Sequence, residues 1–127
     1  MEKFYAILDF WLVLVIGLDI RVWLLTGAPG VGKTTVLSKT VEILKARGVS
    51  VGGMVSREAR DCCTRLGFEV IDLASGKKGW LAHVDQKKGP QVGKYRVNLA
   101  DLDGIGAEAI AKATQTCEVI AIDEIGP

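Results

Sequence analysis

The tightest constraint on this chain lies at residues 27–34, Gly27-Ala28-Pro29-Gly30-Val31-Gly32-Lys33-Thr34. They follow the apolar run Ile20-Arg21-Val22-Trp23-Leu24-Leu25 and precede a segment of helical periodicity. A glycine-rich turn of spacing Gly-x-x-x-x-Gly-Lys-Thr, held between a strand and a helix, is the context that a phosphate-binding loop requires. A backbone that turns tightly and approaches an anion closely needs residues without Cβ, which Gly27, Gly30 and Gly32 supply. Backbone N–H groups of residues 30–35 are then expected to point at phosphate oxygens, aided by the positive end of the helix that begins there. The bland alternative is a helix start that is merely rich in glycine, and the flanking strand and helix argue against it.

Within that loop Lys33 is expected to reach the β- and γ-phosphate oxygens, and Thr34 to offer its hydroxyl to Mg²⁺. Thr35 is a further candidate donor to the α-phosphate. Ala28, Pro29 and Val31 complete the nucleotide-contacting set. A second site element stands near the C-terminus, where the apolar residues Val119-Ile120-Ala121-Ile122 deliver Asp123 and Glu124. A carboxylate at the carboxyl edge of a buried strand lies where open α/β sheets bind ligands. Asp123 is expected to hold Mg²⁺, directly or through water, and Glu124 to orient or deprotonate the attacking water. Alone, an acidic pair after a strand is more often a cap or a turn; paired with the loop it reads as the metal and water residues.

Between these elements the chain predicts a helix over 34–47 closed by Gly48, then a strand over 49–56, completing a βαβ unit. Residues 65–73 and 79–84, joined by Ala74-Ser75-Gly76-Lys77, read as a β-hairpin. Residues 85–97 are polar and glycine-bearing and read as an exposed, mobile loop. Asn98 or Asp101 is then expected to cap a helix running to about Thr116, with Gly104 and Gly106 weakening its first turns.

A length of 127 residues accommodates one domain, and no repeat or linker divides it. Sixteen Lys and Arg against fifteen Asp and Glu leave no basic field for nucleic acid, so none is expected as a partner. Three cysteines, Cys62, Cys63 and Cys117, without Cys-x-x-Cys spacing fit a reducing cytoplasm, and the adjacent Cys62 and Cys63 read as small, semi-buried thiols. His83, the one histidine, reads as a hydrogen-bonding surface residue rather than a base. Residues 1–19 are apolar, but Glu2 offsets Lys3, and Asp9 and Asp19 interrupt, which argues against a signal peptide or spanning helix. They read as an N-terminal extension, or as sequence upstream of the natural start, before a domain over 20–127.

The residues so far resemble the THEP1-type nucleoside-triphosphatase family. The resemblance is carried by residues 26–35 and by Val51-Gly52-Gly53, Glu58, Arg60 and Arg65-Leu66-Gly67-Phe68. Val92-Gly93-Lys94-Tyr95, Val97-Asn98-Leu99 and residues 119–127 carry it further. It implies Mg²⁺-dependent hydrolysis of ATP, GTP and other nucleoside triphosphates to diphosphate and phosphate, by a chain expected to be a monomer. It also implies an α/β P-loop NTPase three-layer sandwich related to RecA-type ATPases, with a mostly parallel sheet and a β-hairpin insertion. Two departures stand out: Cys62-Cys63 and Arg96 where the family usually has glycines. The family pattern continues beyond Ile125-Gly126-Pro127, so the sheet is expected to be incomplete, lacking the strand between the loop strand and the Asp123 strand. Residues 10–18 are a candidate replacement. A nucleoside or nucleotide kinase, with Arg57, Arg60 and Arg65 as its lid, and a binding-only fragment stand as alternatives to hydrolysis.

Overall fold

In the computed structural model the described residues are 3–8, 20–28 and 30–123, those at 3–8 and 20 by backbone alone. Strands β1 (Lys3–Leu8) and β2 (Ile20–Leu25) precede helix α1 (Lys33–Ala46). Strands β3 (Val51–Asp61), β4 (Thr64–Asp72) and β5 (Lys78–His83) follow, then the short β6 (Gln91–Val92) and β7 (Tyr95–Val97). The chain ends its described course in α2 (Leu99–Asp101), a π-helical stretch (Leu102–Ala107), α3 (Glu108–Thr116) and β8 (Val119–Asp123).

The strands form a single eight-stranded sheet in the order β2-β1-β8-β3-β4-β5-β7-β6. It is mixed, which corrects the expectation of a mostly parallel sheet. The pairs β1 with β2, β1 with β8 and β3 with β8 are parallel, whereas β3 with β4, β4 with β5, β5 with β7 and β6 with β7 are antiparallel. The physical reason is connection length. Two residues, Cys62 and Cys63, join β3 to β4, and only an antiparallel return fits so short a turn. The expected gap beside the Asp123 strand is also corrected: β1 lies between β2 and β8 and pairs with both. The candidate replacement at 10–18 lies outside the described residues.

Alternation along β3 builds the two faces. Val51 and Val55 join Leu37 and Val41 of α1, Ile71 and Ala121 in one buried cluster. The intervening residues face the other helical layer: a Cβ at Gly52 would stand 2.8 Å from Ala113 Cβ and Cys117 Sγ. Helices thus cover both faces of the sheet. On the α3 side Ile105, Ala109, Ala113, Val70 and Ile120 are buried.

The loop expected over 85–97 is instead pinned by β6 and β7, and by Arg96 Nη1 donating to Gly89 O at 3.0 Å. Asn98 is the helix cap: its Oδ1 accepts the Asp101 N–H at 3.1 Å, while Asp101 Oδ2 accepts the Trp80 N–H at 2.8 Å. Replacing Asn98 by alanine is therefore expected to cost about 1 kcal/mol, read as a lower urea midpoint with unchanged slope. The weak first turns around Gly104 and Gly106 are π-helical. Cys62 and Cys63 are exposed at the β3–β4 tip, correcting the reading of them as semi-buried, and Cys62 has φ 49°. Among the described residues no helix is long and apolar enough to cross a membrane.

Candidate active site

The glycine-rich loop leaves the carboxyl end of β2 and turns into α1, whose N-cap is Gly32. Gly30 has φ +77° and Gly32 φ +105°, and among the described residues, chain neighbours aside, no atom lies within 4 Å of a Cβ built at either. Glycine is required there by the left-handed backbone and not by packing. The first i→i−4 bond of α1 runs from the Val36 N–H to Gly32 O at 3.0 Å. The N–H groups of Lys33, Thr34 and Thr35 therefore precede the helix ladder, at the positive end of the helix dipole. No acidic side chain occupies the first turn of α1 to compete for that end.

Lys33 folds back across the loop, its Nζ donating to Gly27 O at 2.6 Å. Thr34 Oγ1 donates to Asp123 Oδ2 at 3.0 Å, joining residues 89 positions apart in the chain. Asp123 is the last residue of β8 and is only 4% exposed. Burial pushes its carboxyl above the usual carboxylate range, opposed in part by the Thr34 hydrogen bond and the Lys33 charge. The Asp123 carboxylate and the Thr34 hydroxyl are hard oxygen groups of the kind that Mg²⁺ takes, and they stand beside the Lys33 charge. Among the described residues no group of three or more His, Cys, Asp or Glu could cage a metal.

The structure thus brings Lys33, Thr34 and Asp123 together, with Gly27, Ala28, Gly30, Val31, Gly32 and Thr35 around them. Pro29 and Glu124, also singled out from the sequence, lie outside the described residues. Sequence reasoning left Glu58 and Arg60 without a role. They lie on the part of β3 that continues past its last pair with β8, Met54 with Ile122, toward the edge where β8 delivers Asp123. Glu58 pairs with Arg60 and, at 2.9 Å, with Arg65 Nη2. Its slight burial would raise the Glu58 carboxyl, but the two guanidinium groups hold it below the usual range. Two of the three arginines considered for a kinase lid are thus engaged by one carboxylate. The charge pattern Glu58, Arg60, Arg65 was visible in the sequence, but only the β3–β4 register makes it a cluster. His83 Nδ1 accepts the Asp85 N–H at 3.0 Å.

A family model described as an NTPase matches residues 22–127. Nucleoside-triphosphatase THEP1 of Thermofilum pendens is 51% identical over 105 residues, covering 83% of this chain and 58% of that protein. The protein of the same name from Methanosarcina acetivorans is 50% identical over 103 residues, covering 80% and 58%. The chain therefore spans little more than half the length of these curated relatives. The solution structure of a human cancer-related nucleoside triphosphatase matches with a TM-score of 0.63 and 30% identity over 98% of this chain and 60% of that one. The crystal structure of THEP1 from Aquifex aeolicus matches with a TM-score of 0.58 at 18% identity, over 99% and 78%, a likeness of fold alone. By the family model, which spans most of its length, the chain belongs to the NTPase family.

Proposed function

We propose that this chain binds a nucleoside triphosphate at residues 27–35, as a P-loop NTPase, and hydrolyses it to the diphosphate and phosphate. The observation that carries this reading is the 3.0 Å hydrogen bond from Thr34 to the buried Asp123 at the foot of a loop crossed by the Lys33 ammonium. The names of the relatives, nucleoside-triphosphatase in each case, support the same reaction class. ATP, GTP and other nucleoside triphosphates are the proposed substrates.

Each residue has a chemical task. The N–H groups at the start of α1 bind phosphate oxygens, and Lys33 exchanges Gly27 O for the β- and γ-oxygens, where charge accumulates as the γ-phosphoryl leaves. Thr34 and Asp123 are the residues that would hold Mg²⁺. The chemistry that Mg²⁺ would supply there is neutralisation of phosphate charge. Glu124, next in the chain, is proposed to orient the attacking water. We place the reaction in the cytoplasm and in a monomer, without nucleic acid.

Phosphate release from ATP with Mg²⁺ tests this directly. Lys33→Ala is expected to lower release at least ~100-fold, the scale of losing one group aimed at transition-state charge. Release that survives Lys33→Ala would move the site elsewhere. ATP binding without release by the unaltered chain would leave a binding protein.

A further inference from the structure

We propose that β1 is the positioning strand of the candidate site: it sets the distance and the level at which the loop strand and the Asp123 strand stand. Thr34 follows β2, Asp123 ends β8, and these two strands are not neighbours. Among the described residues β2 sits at the sheet edge and hydrogen-bonds to no strand but β1. β1 meets it in register from Lys3 with Ile20 to Leu8 with Leu25. On its other side β1 meets β8 from Phe4 with Val119 to Leu8 with Asp123.

Leu8 is thus level with both Leu25, the last residue of β2, and Asp123. Two strand spacings put ~9.5 Å between β2 and β8. The smallest slip that preserves the pleat is two residues, which would shift the loop by ~6.6 Å against Asp123. A 3.0 Å contact between Thr34 and Asp123 does not survive such a shift. Without β1, moreover, β2 and β8 would face each other with unpaired edges, too far apart to bond directly.

The competing account is that α1 alone holds the loop. Leu37 and Val41 do anchor α1 in the core with Ala121 of β8. A helix packed by side chains fixes a distance to the sheet, whereas a hydrogen-bonded strand fixes the level along it, and the contact between Thr34 and Asp123 needs both.

Amide hydrogen exchange of the full chain, without any variant, tests the assignment. Amides of residues 4–8 are expected to exchange within about tenfold of those of residues 120–122, as neighbours in one sheet do. Exchange of residues 4–8 at unstructured rates beside protected 120–122 would overturn the proposal.

A pair of proline variants then tests the consequence. Ala6→Pro interrupts β1 where both sides are paired, and Lys3→Pro stands at its first residue, where proline is tolerated. Ala6→Pro is expected to speed exchange at residues 22–25 at least ~100-fold while β4 and β5 stay protected, with Lys3→Pro within about threefold of the unaltered chain. Unchanged protection of residues 22–25 in Ala6→Pro would equally overturn it. The affinity for ATP with Mg²⁺, whose use rests on the function proposed above, is expected to fall at least tenfold in Ala6→Pro alone. If the unaltered chain binds no ATP, that reading fails, while the exchange pattern still decides the role of β1.

Discussion

Asp123→Asn is expected to stabilise the ligand-free chain at neutral pH and to abolish phosphate release. Asp123 is buried at 4% exposure, and its carboxyl titrates above the ordinary value of 3.8 because burial disfavours its charged form. A folded-state value raised above the unfolded one means that the native chain holds this proton more tightly. The corresponding stability is full below about pH 3.8 and is lost as pH rises through the folded value. At pH 7 the native state therefore carries a partly desolvated charge that asparagine lacks, while the asparagine amide oxygen still accepts from Thr34. Thermal unfolding at pH 7 is expected to rise by about 2–5 °C in Asp123→Asn, the scale of a kcal/mol-sized gain in a domain of this size. The gain should vanish below about pH 3.8, where the parent carboxyl is protonated too. Hydrolysis should fall at least ~100-fold, since the variant cannot present a carboxylate to a cation. A variant that is both less stable at pH 7 and fully active would contradict the site.

Gly53→Ala is expected to prevent cooperative folding. Gly53 is the third residue of β3, where the strand pairs with β8, and has φ +117°; a Cβ there would stand 2.0 Å from the Ala121 carbonyl oxygen of β8. Backbone cannot step aside as a side-chain tip can, so strain and clash add. A cost on the order of 3–5 kcal/mol is a large share of the ~5–15 kcal/mol that holds a domain together. Gly52→Ala is the informative neighbour, because its Cβ would meet Ala113 Cβ and Cys117 Sγ at 2.8 Å, atoms of a helix layer that can shift. Urea unfolding followed by circular dichroism should show a sharp transition for Gly52→Ala at a lowered midpoint, and a broad one or none for Gly53→Ala.

The local parts of the fold were legible. An apolar run, a glycine loop and a helical period place β2, the loop and α1 to within a residue or two, since each depends on neighbours in sequence. The β4–β5 hairpin was announced by Ala74-Ser75-Gly76-Lys77, where Asp72 accepts from Ala74 N–H and Ser75 Oγ. The turn between β3 and β4 was not announced. Cys62 takes up φ 49° at a place where turn-forming Asn or Gly would have signalled it. Without that turn, β3 reads as a short parallel strand rather than an eleven-residue arm. The place of β1 was illegible for another reason: the partner of Phe4 is Val119, and no local pattern encodes a pairing across the whole chain. Of the candidate site, the types and order of Lys33, Thr34 and Asp123 were legible from motif spacing. The hydrogen bond between Thr34 and Asp123 was not, because it depends on strand order.

The two halves of the sheet differ in how far apart their partners lie along the chain. β3, β4 and β5 zip by short returns, so little loop entropy is lost before their contacts form. β1 and β8 must instead bring the two ends of the described chain together. Topologies of that kind close late, because long-range pairing is opposed by chain entropy until much else is in place. It follows that the antiparallel half serves as the template, and that the meeting of Thr34 with Asp123 is among the last events of folding. A chain caught before that step would keep its hairpins and lack the contact on which the proposed site depends.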